Sequence, residues 1–271
     1  VFNVDHGLCV LVRTPSGHFM MIDAGCSASF KPAEWVANQT QLAATWHGRH
    51  KLTQLIVTHP HDDHVEGINS VIEKLPPAFL LRRKDLPWHE VLNPPDGDPS
   101  ENAKEFYEWQ HSYNSPVVSE PDYGCSVTAF SLSKPELDVL PGQLQNCLNN
   151  SSYVTVITWN NGEYTWKAVI CGDNEEAGLN ALMAKPGFVE AISDCTILVT
   201  PHHGHSSGYC GEFVEALGKP QFVFHSVPKK CDHLDVRYDD LSSGFEFGGN
   251  TRRVLTTRHD GHIWIRSYSN H

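Results

Sequence analysis

Apolar and polar positions along this chain change period several times, and each change marks an element. CVLVRT (9–14) and HFMMIDAG (18–25) flank the turn sequence TPSG, which predicts a hairpin. PAEWVANQTQLAATWH (32–47) opens with Pro32 and predicts a helix. LTQLIVT (52–58) sets Leu55, Ile56 and Val57 in a row, the pattern of a strand covered on both faces. HVEGINSVIEKL (64–75) spaces Val65, Ile68, Val71, Ile72 and Leu75 as one helical face and stops before Pro76-Pro77.

The pattern loosens over residues 76–125, which are rich in Pro, Asp, Gly and Ser around ENAKEFYEWQHSY (101–113), a predicted helix. This stretch reads as an insertion or lid without the apolar mass for its own core. Strands resume in YVTVITW (153–159) and YTWKAVICGD (164–173), joined by the turn residues NNG. NEEAGLNALMAK and EFVEALG (212–218) predict helices, and CTILVT (195–200) and QFVFHS (221–226) predict strands. RVLTTRHDGHIWIRSY predicts a closing hairpin around HDG. Strands and helices interspersed in this way indicate a mixed α/β layer architecture. QLIVTHPHDDH (54–64) and TILVTPHHGHSS (196–207) share a form, an apolar strand, Thr and a Pro/His cluster, so each delivers histidines at the end of a buried strand.

At 271 residues the chain is expected to form one domain, 1–271, with ample material for a core. No run of about 18 apolar residues is present, so no membrane span is expected. VFNVDHGLCV lacks a basic, then apolar, leader pattern, and it opens directly on strand-like sequence as though native residues preceded Val1. The net charge of −12 argues against tight binding to random duplex DNA and points to a small or short anionic substrate held locally. The eight cysteines form no CxxC pair and lie mostly in apolar runs, as expected of reduced thiols in a cytoplasmic protein.

THPHDDHVEG (58–67) concentrates the chemistry. His59 and His61 stand two apart past a strand, so in extended backbone they point the same way and suit one ion. Asp63 and His64 fall at the turn into the next helix and suit a second ion. The bland alternative is a cluster at a helix start with Asp62 or Asp63 as N-cap. The H-x-H-x-D-H spacing is too specific for that alternative to compete.

This motif resembles the metallo-β-lactamase superfamily. VFNVDHGLCVLVRTPSGHFMMIDAG resembles the opening hairpin of its ComEC-type competence (DNA-uptake) branch. NNSSYVTVITWNNGEYTWKAVICGD, TILVTPHHGHSS and RVLTTRHDGHIWIR resemble that branch's later elements, in order. The resemblance implies a four-layer αββα sandwich with a dinuclear site. His59, His61 and one histidine of the H-H-G element, His202 or His203, would hold the first metal. Asp63 and His64 would hold the second, with Asp173 bridging and His233 completing the second site. Of the histidine pair, His202 is preferred as nearer the strand end. Asp173 also stands on physical grounds, because a carboxylate ending a buried strand is costly unless it meets a cation. Its bland alternative is an N-cap for the helix from Asn174. His225, on a strand, reads as a core histidine or one that supports a ligand.

Two departures from the branch pattern matter. Asp5-His6-Gly7 replaces Gly-Gln-Gly, and His205 stands where serine is common, so His6 and His205 become candidates for a general acid or phosphate donor. Zinc is the default metal for a His/Asp set, with manganese or iron as alternatives. A metal-bound water ionises near neutral pH, against a pKa of about 15.7 in bulk, and Asp63 belongs to the set that would hold the resulting hydroxide. The expected function is therefore a metal-dependent hydrolase of a phosphodiester, nuclease-like, assisted by nearby cations such as Arg82, Arg83, Lys84, Lys229 or Lys230. A lactam, lactone or ester hydrolase is the alternative. A non-catalytic binding module ranks third, because degenerate members lose ligands and these are retained.

Overall fold

The computed structural model describes residues 1–39, 52–93, 100–115, 119, 121–142, 144–228 and 234–266. The chain falls into two compact units, Phe2–Gly124 and Cys125–His271, the latter with Val1.

The first unit is built on a four-stranded sheet in the order β1-β2-β3-β4. Its elements are β1 (Val10–Arg13), β2 (Phe19–Ile22), α1 (Pro32–Asn38), β3 (Gln54–Ile56), α2 (Asp62–Val65), α3 (Ile68–Lys74), β4 (Phe79–Leu81), α4 (Trp88–Leu92) and α5 (Glu101–Gln110). β1 and β2 form the expected antiparallel hairpin, while β2, β3 and β4 run parallel. All four β2 side chains are buried, as are Leu55, Ile56 and Val57. The part of the expected first helix beyond Asn38, from residue 40, lies outside the described residues.

The expected helix 64–75 is instead broken into α2 and α3 at Gly67. Gly67 N–H donates to Ala24 O at 2.7 Å, and a Cβ there would stand 2.6 Å from that same oxygen. The turn after β2 occupies the space a continuous helix would need. Within 76–125, β4 extends the sheet, and α5 is capped by Ser100, whose Oγ accepts the Ala103 N–H. Phe106 of α5 is 1% exposed and packs with Val71, Leu75 and Trp88 in this unit's core.

The second unit carries a six-stranded sheet in the order β12-β9-β8-β7-β6-β5, and a two-stranded hairpin, β10-β11. In chain order it contains β5 (Ser126–Phe130), α6 (Lys134–Asp138), α7 (Leu144–Asn150), β6 (Val154–Asn160), β7 (Thr165–Ile170), α8 (Glu176–Met183), α9 (Phe188–Ile192) and β8 (Ile197–Val199). α10 (Gly211–Leu217), β9 (Phe222–His225), α11 (Arg237–Leu241), β10 (Phe245–Phe247), β11 (Asn250–Arg252), β12 (Val254–Thr256) and α12 (Thr257–Asp260) follow. β5, β6 and β7 are antiparallel neighbours, and β7, β8, β9 and β12 are parallel. Val156, Val169, Leu179, Leu182, Phe188, Leu198 and Phe213 form the core between sheet and helices.

The closing segment is not the expected hairpin. β12 pairs parallel with β9 and passes straight into α12, with no strand over residues 261–266. The Asp260 carboxylate accepts the Thr256 N–H at 2.8 Å and an Arg252 N–H at 2.6 Å, which winds the chain into a helical turn. Gly261, at φ 71°, then ends that turn.

The fold class is the expected mixed α/β one, with several sheets and flanking helices. Among the described residues no helix is long and apolar enough to cross a membrane. The seven described cysteines are free thiols, five of them buried.

Because α5 supplies a buried aromatic to its unit, Phe106→Ala should cost about 3–5 kcal/mol in urea denaturation. A loss below about 1 kcal/mol would show that the Pro-rich segment is dispensable to the core.

Candidate functional site

In the first unit β3 runs on through Val57 and Thr58 into His59-Pro60-His61. His59 Nε2 and His61 Nδ1 converge to 2.9 Å, so the two rings aim at one point as their spacing predicts. His59 is buried and His61 is half-buried. His61 stands at the N-cap position of α2, and the next turn presents Asp63 and His64. His64 Nε2 lies 3.6 Å from Asp63 Oδ2, with the histidine fully buried and the carboxylate mostly so. Asp62 points elsewhere. Its Oδ1 accepts from Ser100 Oγ and from Asn102 Nδ2, which ties α2 to the start of α5.

Behind these side chains sits Asp23, a residue the sequence reading passed over. It is fully buried at φ 59°, just past β2. Its Oδ1 accepts the Thr58 N–H at 2.7 Å, and its Oδ2 accepts the Thr58 hydroxyl at 2.7 Å. The same Oδ2 is 2.7 Å from His64 Nδ1. Burial pushes the Asp23 carboxyl up, against the pull of His64 and Thr58. The pairing fixes the proton of a neutral His64 on Nδ1 and leaves Nε2 as the ligand atom facing Asp63. The signal was legible: IDAG ends an apolar strand in an Asp as AVICGD does.

His6 Nε2 is 3.7 Å from Asp63 Oδ2, and its side chain is 67% exposed. Gly7, at φ 112°, lets its loop lie on the α2 turn, where a Cβ would stand 2.0 Å from Asp63 O.

In the second unit β7 ends in Cys171-Gly172-Asp173. Asp173 N–H donates to Ser152 Oγ at 3.0 Å, and Asn174 Nδ2 donates to Ser152 O and Cys171 O. The N-cap of α8 is Glu175 rather than Asp173, so the bland capping role for Asp173 does not apply. His203 Nε2 lies 3.4 Å from Asp173 Oδ1, both nearly buried. It is therefore His203, and not the preferred His202, that meets this carboxylate. His202 Nδ1 instead faces Ser207 Oγ at 2.7 Å and Glu175 Oε1 at 3.5 Å. Burial lowers the His202 pKa, partly offset by Asp173.

The reason for the exchange is backbone handedness. His202, His203 and Gly204 all have positive φ, at 45°, 57° and 84°. Beneath them His225 is buried, its Nδ1 2.7 Å from Thr200 Oγ1, and a Cβ on Gly204 would stand 2.2 Å from that nitrogen. Burial, with Arg258 second, lowers the His225 pKa to about 4. His205 Nδ1 accepts the Ser207 N–H at 3.1 Å. His233 lies outside the described residues, as do Lys229 and Lys230. Arg82 donates to Gln110 O and Tyr113 O, and Arg83 is paired with Asp85.

The donor pairs fit divalent metal. Bonds of about 2.0–2.2 Å place neighbouring donors roughly 3 to 3.5 Å apart, close to the separations here. Among the described residues the donors are imidazole and carboxylate without thiolate.

Residues 2–115 match the model of the metallo-beta-lactamase superfamily. That match, with the mixed α/β architecture, supports the superfamily fold. Among solved structures the chain is similar to the Rm3 metallo-beta-lactamase at 15% identity, over 73% of this chain and 72% of that one, with a TM-score of 0.39. It is similar to a beta-lactamase from Chitinophaga pinensis at 15% identity, over 80% and 89%, with a TM-score of 0.42. It is also similar to a long form RNase Z from yeast at 14% identity, over 92% of this chain and 40% of that one, with a TM-score of 0.40. No curated protein matches.

Asp23→Asn should weaken metal binding by about 10- to 100-fold in a competitive chelator titration, while the fold is kept. Unchanged affinity would show that Asp23 does not act through His64. A second expectation concerns acid. His225 is neutral in the fold, whereas the unfolded chain takes up its proton below about 6.5. Its contribution to stability is thus complete above 6.5 and falls as pH drops toward 4, by at most about 1.4 kcal/mol per pH unit. His225→Phe should lose this component, so the stability gap between wild type and variant should change between pH 7 and pH 4.5. Parallel pH profiles would contradict the buried, neutral assignment.

Proposed function

We propose that the chain is a metal-dependent hydrolase of the metallo-β-lactamase superfamily, acting on a phosphodiester through two divalent ions. The observation that carries the reading is the buried Asp23–His64 contact, which orients a ligand-capable nitrogen beside Asp63. A purely structural histidine has no need of a fully buried carboxylate fixed by Thr58.

The proposed ligands are His59, His61, Asp63, His64, Asp173 and His203. Zinc is the proposed metal, since imidazole and carboxylate donors without thiolate suit it, and they also admit manganese or iron. Such ions supply Lewis acidity and a nucleophile at neutral pH. The chain's own residues do the remaining work. Asp23 holds the His64 ring, and Ser152 and Asn174 fix the turn that carries Asp173. His205, accepting the Ser207 N–H on Nδ1, carries the proton of its neutral ring on Nε2, where it would donate to a substrate oxygen. His6, beside Asp63, is a second candidate donor.

The phosphodiester preference rests on the resemblance of the later elements to the DNA-uptake branch and on the match of paired ions to a phosphoryl group. A short substrate fits a chain of net charge −12 better than long duplex DNA does. Lactam, lactone or ester hydrolysis is the second reading.

The test is elemental analysis of the purified protein with turnover of a bis-aryl phosphodiester, a chromogenic lactam and a lactone. Two metals per chain and phosphodiester turnover are expected. No such turnover with zinc, manganese or iron would remove the phosphodiester reading. Asp63→Ala should lower turnover beyond the roughly 10- to 100-fold typical of an outer partner, with an unchanged circular dichroism spectrum.

A further inference from the structure

Arg237 opens α11 and is held by two residues, Asp235 and Tyr209. Its Nε and Nη2 donate to the Asp235 carboxylate, and its own backbone N–H donates to Asp235 Oδ1 at 2.9 Å. Its guanidinium carbon stands 3.7 Å from the centre of the Tyr209 ring. Asp235 is in turn tied to the H-H-G loop, because its N–H donates to Gly204 O at 2.9 Å. Leu234 forms a β-bridge with His205. Tyr209 immediately follows the 206–208 turn of that loop. The guanidinium is thus built onto the same loop that carries His203 and His205.

The geometry of the fork matters. A guanidinium offers five N–H donors in one plane. Asp235 takes the side formed by Nε and one N–H of Nη2, and Tyr209 covers one face. Among the described residues, the end formed by Nη1 and the second N–H of Nη2 meets no acceptor. The Arg237 side chain is 55% exposed, whereas the Asp235 carboxylate is 7% exposed. That open end is shaped to take two oxygens of a second anion, as planar arginine does for phosphate. Other cations near the start of the chain are engaged differently, since Arg82 caps the end of α5 and Arg83 serves Asp85.

We propose that Arg237 is an anion-recognition residue, its open guanidinium end binding a phosphate oxyanion of the substrate carried on the H-H-G loop. This rests on the phosphodiester reading above. The oxyanion belongs either to the scissile diester or to a neighbouring phosphate of the same substrate, and two substrates separate these cases.

The experiment compares wild type, Arg237→Ala and Arg237→Lys, loaded with zinc. The substrates are bis(p-nitrophenyl) phosphate, a diester that also carries a terminal phosphate, and a neutral chromogenic ester. Arg237→Ala should raise KM for phosphate substrates roughly tenfold or more, with the effect on KM rather than kcat, and Arg237→Lys should recover part of it. A rise for both phosphate substrates assigns the scissile diester. A rise only for the doubly charged one assigns the neighbouring phosphate. An unchanged KM, or an equal rise for the neutral ester, would overturn the proposal.

Loss of Arg237 strands the Asp235 carboxylate, so Asp235→Asn/Arg237→Ala provides a variant free of that cost. Equilibrium binding of inorganic phosphate to wild type and this double variant covers the remaining case. If no phosphodiester is turned over but wild type binds phosphate and the variant does not, the function reading falls and Arg237 stands. Equal phosphate binding by both sinks Arg237 alone.

Discussion

A single buried carboxylate organises the first unit's chemistry. Asp23 stands in an apolar interior where an unsatisfied charge would cost several kcal/mol. Thr58 supplies two donors and His64 a third contact, and the same Thr58 hydroxyl lies 3.3 Å from His59 Nδ1. One residue thereby joins the end of β2 to the end of β3 and to α2. The neighbouring loops follow from it. Ala24 N–H donates to His64 O, and Gly25, where a Cβ would stand 2.7 Å from Asp63 O, packs against the turn that carries the ligand-capable pair.

The second unit reaches a comparable result with neutral groups. Ser152 and Asn174 hold the turn after β7, and Asn150 Oδ1 accepts the Glu175 N–H. Glu175 also accepts from Asn146 and Asn149, so neighbouring amides fix the carboxylate that faces His202. Asn149 and Asn174 each donate through Nδ2, while their Oδ1 atoms are buried without a hydrogen-bond partner among the described residues.

Periodicity made the sheets legible wherever strands were continuous and apolar, as in FMMI, QLI and ILV. It failed where a backbone contact overrode the side-chain pattern. The helical face from Val65 to Leu75 was real, yet Gly67 breaks it because Ala24 O needs the space. HDG reads as a hairpin turn, but Asp260 pairs with Arg252 and Thr256, contacts that only the folded chain creates. The His59–His61 and Asp63–His64 pairs declared themselves by spacing. The choice between His202 and His203 did not, because it depends on a reversal of backbone hand that residue type does not announce. Asp23 lay in plain view and was missed because it stands far in sequence from the histidine it serves.

The left-handed run at His202, His203 and Gly204 sets how freely this loop can evolve. Non-glycine residues pay about 1–2 kcal/mol for that hand, and β-branched residues fit it worst. Asparagine, aspartate and glycine are therefore the cheap neighbours in sequence space, whatever chemistry is being selected. A valine or isoleucine would have to redraw the path of the chain before its side chain mattered. At His205, with an ordinary φ of −65°, the constraint is instead its side chain, which accepts the Ser207 N–H.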